Sequence, residues 1–251
     1  MKALRSLFYI VIIFFLAGYA FAANSGIVTE EVGYHDKIEG GKGYLARPDD
    51  NQKHPALILI HEWWGLNDNI RQFAAKFANL GYVALAVDLY DGKSAATREE
   101  ARTLASAVRQ DVPAAFDNLK SAVSYLKGRA DVDSSRLAAI GWCFGGGWSY
   151  QIAKNNLGVK ASIIYYGFFN PRDDLSQMRA TILGHFGKED RAIKLDTVYE
   201  FQANLKTLSG DHEVYIYENA GHSFANSGSR YNREAAEQAW NRTVVFLNKY
   251  L

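Results

Sequence analysis

Short apolar runs recur along this chain, and stretches with helical apolar spacing separate them. Residues Ala56 to Ile60 read Ala-Leu-Ile-Leu-Ile, bounded by Pro55 and His61. A run this short and without alternation reads as a strand buried on both faces. Phe73, Phe77 and Leu80 then share one helical face, with Asp68 as the expected N-cap and Gly81 as the stop. Val83 to Val87 is the next strand, closed by Asp88. Further strands are predicted over 137–141, 161–166, 181–186 and 213–217. Helices are predicted from the capping box Thr97-Arg98-Glu99-Glu100 towards Gln110, and over 112–127, 145–155, 197–208 and 233–251. Strands that alternate with helices imply an α/β chain, with a mostly parallel sheet covered on both faces.

The first residues read as an address rather than as fold. Lys2 and Arg5 precede an apolar run from Leu7 to Leu16, and Ala20-Phe21-Ala22 offers small residues to a signal peptidase. A signal peptide over 1–22, cleaved after Ala22, is therefore expected, with a periplasmic or secreted protein as the result. A retained anchor is the alternative, although a spanning helix wants ~20 apolar residues. The remainder, 23–251, reads as a single domain, expected to be a monomer. The whole chain's 28 basic and 27 acidic side chains leave a net charge of +1, which suggests neither nucleic acid nor an anionic surface as partner. The chain holds a single cysteine and so no internal disulfide. A lone cysteine in an exported protein is either a buried spectator or a free reactive thiol.

In a parallel sheet, ligands bind at the carboxyl ends of the strands, so the residues just after each strand matter most. After 137–141 comes Gly141-Trp142-Cys143-Phe144-Gly145-Gly146. This has the shape of a strand-to-helix turn that presents a nucleophile between glycines, at a helix N-terminus that favours a thiolate and an oxyanion. After 181–186 comes Gly187-Lys188-Glu189-Asp190, where a carboxylate could orient an imidazole or simply be solvated. After 213–217, the loop carries Gly221-His222-Ser223-Phe224, with a candidate base. Cys143, Asp190 and His222 thus follow the nucleophile–acid–histidine order of the α/β-hydrolase fold. In that fold the loop after the early strand supplies a second oxyanion donor, here the backbone N–H of Trp63 in His61-Glu62-Trp63-Trp64-Gly65. General rules leave Glu62 open, since a buried carboxylate needs a partner and an outward one does not.

These motifs, with Gly81-Tyr82, Asp88-Leu89-Tyr90 and Tyr165-Tyr166-Gly167, resemble the dienelactone hydrolase (carboxymethylenebutenolidase) family from about Gly43 to the C-terminus. The resemblance implies an ester or lactone hydrolase with Cys143 as nucleophile, His222 as base and Asp190 as its orienting acid. Phe144 and Trp63 match the oxyanion-hole positions through their backbone N–H groups. Glu62 matches a glutamate that keeps the resting thiol protonated and takes its proton when substrate binds. Arg98 matches one of two arginines that hold a substrate carboxylate. The other would stand where this chain has Asn226, which puts dienelactone itself in doubt. Tyr166, Ser223 and Trp64 are further candidates for substrate contact. Trp63, Trp64, Trp142, Tyr165, Tyr166, Phe168 and Phe169 could line an aromatic-tolerant pocket, with about half of them expected to be core.

The expected reaction is a two-step acyl transfer from a small-molecule ester or lactone, without cofactor. No metal site is expected, because His61, His185, His212 and His222 are dispersed and no His-x-x-x-His or cysteine pair exists. The alternatives are an exported general carboxylesterase or thioesterase, or a non-catalytic binding protein on a hydrolase scaffold.

Overall fold

The computed structural model describes residues 26–35 and 42–251. The expected signal peptide over 1–22 lies outside the described residues. Eight strands form one sheet in the order β1-β2-β4-β3-β5-β6-β7-β8. They are β1 (Ile27–Val32), β2 (Gly43–Pro48), β3 (His54–Ile60), β4 (Val83–Val87), β5 (Val132–Trp142), β6 (Ala161–Tyr165), β7 (Thr181–Gly187) and β8 (Glu213–Tyr217). From β4 to β8 across the sheet all pairings are parallel, while β2 joins β4, and β1 joins β2, antiparallel. Strands β1 and β2 are not among the expected elements: their apolar runs are interrupted by charge, and β1 is the sheet edge. No described helix is long and apolar enough to cross a membrane.

The helices are α1 (Asp68–Asn79), α2 (Arg98–Gln110), α3 (Val112–Gly128), α4 (Phe144–Lys154), α5 (Leu195–Leu205) and α6 (Arg233–Tyr250). Helices α1 and α6 meet through Phe77 and Trp240, with ring centroids 4.8 Å apart. Phe116 of α3 and Phe201 of α5 pack on Trp148 and Tyr150 of α4. Sandwiching between such helices leaves β4 and β6 with no exposed position, which is why their sequences are unbroken apolar runs. The capping box forms as expected, with the Thr97 hydroxyl accepting from the Glu100 N–H at 3.2 Å and the Glu100 carboxylate accepting from the Thr97 N–H at 3.1 Å.

Three local expectations change. Asn67, not Asp68, caps α1, and Asp68 occupies the first turn, where its charge suits the helix dipole. Strand β3 begins at His54 and includes Pro55, because its pairing with β5 shifts register there and no N–H is required of the proline. Helix α4 begins at Phe144, with Cys143 itself as the N-cap residue.

Between β3 and β5 the strand order reverses direction. The chain leaves β3 for α1 and returns to β4 on one side, and leaves β5 for α4 and returns to β6 on the other. A crevice opens at such a switch point, outside the carboxyl ends of the strands. The loop carrying Glu62 and Trp63 and the turn carrying Cys143 both stand there. Helix α6 is fixed behind them by a buried polar cluster. His185 on β7 bonds the Tyr217 hydroxyl at 2.9 Å and the Thr243 hydroxyl at 3.0 Å, and Thr243 also bonds the Tyr165 hydroxyl at 2.7 Å. Burial pushes the His185 imidazole down to about 3, so it stays neutral.

Candidate active site

Cys143 has φ 53° and ψ −109°, in the region that L-residues rarely adopt. Backbone strain of this kind costs about 1–3 kcal/mol and persists only where the surroundings enforce it. The Cys143 N–H donates to the Tyr165 carbonyl at 2.9 Å, and its own carbonyl accepts from the Gly147 N–H at 3.2 Å. The flanking glycines are needed for closeness. A side chain at Gly141 would collide with the Gly145 backbone, and one at Gly145 with the Ile60 and His61 carbonyls. Helix α4 can therefore sit against the ends of β3 and β5 only because both positions lack a Cβ.

The three residues expected from separate loops meet. His222 Nε2 lies 3.0 Å from Cys143 Sγ, and His222 Nδ1 lies 2.8 Å from Asp190 Oδ2. The other Asp190 oxygen accepts from the N–H groups of Ala192 at 2.7 Å and Ile193 at 3.1 Å. With a carboxylate facing Nδ1, that nitrogen carries the proton and Nε2 is left to accept from the thiol. Burial first, then the nearby Glu62 carboxyl, pushes the Cys143 thiol up to about 12; the Phe144 N–H and the Arg109 charge oppose this. The resting sulfur is a thiol at neutral pH.

Glu62 points inward and is only 3% exposed. Its Oε2 accepts from the Asn226 amide, and its Oε1 is buried with no hydrogen-bond partner. Burial pushes this carboxyl up to about 7, against the opposing pull of the Asn226 donor. Asn226 therefore has a role that its sequence position did not disclose, as the partner of Glu62. The Tyr166 hydroxyl is also buried, and its ring centroid lies 5.3 Å from that of His222.

The loop after β3 is held at three successive carbonyls, those of Glu62, Trp63 and Trp64. Leu89 N–H donates to His61 Nε2 at 3.2 Å, so the His61 proton is on Nδ1 and is donated to the Glu62 carbonyl at 2.6 Å. The Tyr90 hydroxyl donates to the Trp63 carbonyl at 3.1 Å, and the Ala95 N–H donates to that of Trp64 at 3.0 Å. In a trans peptide the C=O and N–H point in opposite directions. Pinning the Glu62 carbonyl on His61 thereby aims the Trp63 N–H away from that ring.

The remaining candidates separate. Trp63 and Trp64 are half-buried, with rings in edge contact at 5.1 Å. Ser223 follows His222 with φ 64° and is half-buried. Trp142, Tyr165 and Tyr166 are core, Phe169 stacks on Phe201 at 4.1 Å, and Phe168 stays exposed. Arg98 stands exposed in the first turn of α2 and makes no ion pair among the described residues. The arginine whose charge reaches the thiol is Arg109, in the last turn of the same helix. The two are about three turns apart on one helical face, so spacing alone does not tell which end meets the site.

Comparison with known proteins identifies the family and the fold. The family model described as "Dienelactone hydrolase family" matches residues 42–251. A protein of Bradyrhizobium sp, named "Probable 2-oxo-3-(5-oxofuran-2-ylidene)propanoate lactonase", is 30% identical, over 85% of this chain and 91% of its own. "Protein usf" of Aquifex pyrophilus is 30% identical over 84% of this chain and 94% of its own. The solved structure named m3DLH superposes with a TM-score of 0.82 at 25% identity, covering 90% of this chain and 99% of that one. The chain belongs to the dienelactone hydrolase family, and it is an α/β-hydrolase that acts on esters or lactones.

Proposed function

We propose that the protein hydrolyses its ester or lactone through a covalent thioester on Cys143. The observation that carries this reading is the unbroken relay from the strained thiol to the imidazole at 3.0 Å and from the imidazole to the carboxylate at 2.8 Å. A thiol this weakly acidic does not ionise alone at neutral pH, so its proton leaves as the carbon–sulfur bond forms. It passes to His222 Nε2, directly or by way of Glu62, so that the imidazolium holds the proton the leaving group takes. The N–H groups of Phe144 and Trp63 hold the oxyanion, where each donor in sites of this kind is worth roughly 3–4 kcal/mol of barrier. His222, oriented by Asp190, protonates the departing alkoxide and then draws a proton from the water that cleaves the thioester. Glu62 keeps the sulfur protonated between turnovers, which protects an exported thiol from oxidation.

Support for export comes from Lys2, Arg5, the apolar run and Ala20-Phe21-Ala22. N-terminal sequencing of the protein from the producing cell tests it: a start at Ala23 is expected, and a start at Met1 overturns it.

The mechanism is tested by assaying wild type and Cys143→Ala on phenyl acetate and a small lactone. A loss of roughly 10⁴-fold or more is expected, as for removal of a nucleophile in comparable relays. Mass spectrometry of a quenched wild-type reaction should show the acyl group on Cys143. Equal turnover by the two proteins would sink the cysteine mechanism.

A further inference from the structure

A cleft of about 730 Å³ opens between α1 and α6, and the mechanism above leaves it unused. Its size falls within the roughly 300–1,000 Å³ of small-molecule sites. None of Cys143, Asp190, His222 and Glu62 lines it. Its floor nevertheless adjoins them along the chain. Trp142 precedes the nucleophile, and Tyr165, which also lines the cleft, holds the Cys143 N–H on its carbonyl. Ala225 and Ser227, on either side of Asn226, belong to the wall.

The floor holds an unspent donor. Trp142 is 2% exposed, and its indole N–H has no hydrogen-bond partner among the described residues. Its ring stacks on Phe73 at 4.6 Å and on Tyr165 at 5.5 Å, so its polar edge, rather than a ring face, is what remains for a ligand. A buried N–H without an acceptor is costly, and native structures keep few of them. The walls add groups with capacity to spare. Asn69 and Gln72 of α1 and Asn241 of α6 carry amides that make no side-chain hydrogen bond among the described residues. Each amide offers both donors and an acceptor. Trp240 and Tyr231 supply aromatic surface, and Tyr231 is left 46% exposed. The charges of the lining balance, with Lys76 on α1 and Glu237 on α6.

We infer that this cleft is a second ligand site, separate from the catalytic centre, and that it binds a neutral glycan. A sugar ring has an apolar C–H face that packs on an aromatic ring, and hydroxyls that each donate and accept. Aromatic surface set among uncharged amides meets both needs. A fatty chain would leave the indole and the amides unpaired, and an ion would meet two charges that cancel. The glycan binds reversibly and undergoes no chemistry here, so the site does not depend on the cysteine mechanism.

The test is calorimetric titration of the protein with cellotetraose, maltotetraose and tri-N-acetylchitotriose. At least one should bind with a Kd of about 1 mM or tighter. Tyr231→Ala and Asn241→Ala should each weaken that binding roughly fivefold, the worth of one stacked ring or one hydrogen bond, and leave kcat/KM on phenyl acetate unchanged. Cys143→Ala should bind as wild type does. In a ¹H–¹⁵N spectrum the Trp142 indole signal should move as the glycan is added, because its N–H gains an acceptor. Absence of binding by all three glycans would overturn the assignment, as would a Trp142 signal that stays in place at saturation. Binding untouched by both Tyr231→Ala and Asn241→Ala but lost in Phe168→Ala would place the glycan beside His222 instead, since the Phe168 and His222 ring centroids lie 6.2 Å apart. Decanoate that binds, with loss in Tyr231→Ala, where the glycans do not would make the cleft an acyl groove and reject the glycan.

Discussion

Asp190 and Glu62 both enter the site from loops at the carboxyl edge of the sheet, one after β7 and the other after β3, and both are buried. Their surroundings differ. Asp190 is met by the His222 imidazole and by two backbone N–H groups, so each of its oxygens has a donor. Glu62 receives only the Asn226 amide, and one of its oxygens has no partner. Burial with donors suits a permanent charge, whereas burial without them favours the neutral acid. One fold thus holds two carboxyl groups around the same thiol in two environments. In the mechanism proposed above Asp190 orients the imidazole, and Glu62, raised to about 7 by burial, gains or loses a proton near neutral pH.

The contrast can be broken most directly at Asp190. Asp190→Asn keeps the shape but lets the amide favour the wrong imidazole tautomer, and kcat/KM on phenyl acetate should fall by about 10³–10⁴. A loss below tenfold would remove Asp190 from the relay. A second effect is expected in stability, from Glu62. Its carboxyl holds a proton more tightly folded, at about 7, than unfolded, near 4.5. Between these values the folded state binds more protons, so stability falls as pH rises and the cost is complete above about 7. Glu62→Gln removes that cost. The variant should match wild type at pH 4 and exceed it by about 3 kcal/mol at pH 8, read by urea denaturation. A difference that stays flat from pH 4 to 8 would mean that Glu62 is not a strained buried acid. The smallest effect sharpens the role of Asn226. Asn226→Ala deprives Glu62 of its one donor, so its ionisation should move up by roughly half to one pH unit, the worth of one hydrogen bond. Infrared difference spectra of the carboxyl stretch report this, and a downward shift would contradict it.

Much of this architecture can be read directly from the chain. The apolar run at 83–87 coincides with β4, and the Thr97–Glu100 box opens α2, because burial on both faces and capping leave local marks in composition. The antiparallel strands β1 and β2 leave weaker marks: β1 is the sheet edge, where one side is free to be polar, and β2, paired on both sides, is interrupted by Arg47. The positions of Cys143, Asp190 and His222 were also accessible, because each follows a strand whose end is visible. The partner of Glu62 was not. Asn226 is 164 residues away, and only the return of the loop after β8 to the loop after β3 brings them together.

The same division holds throughout the site. Local patterning determined the strands, the glycine-flanked turn and the order of the chemical groups along the chain, since each depends on near neighbours. The tertiary structure alone decided which arginine faces the thiol, because Arg98 and Arg109 share a helical face and only the packing of α2 against the rest of the molecule separates them. It also decided the state of Cys143. A helix N-terminus alone favours a thiolate, but burial beside Glu62 outweighs it and keeps the proton on sulfur.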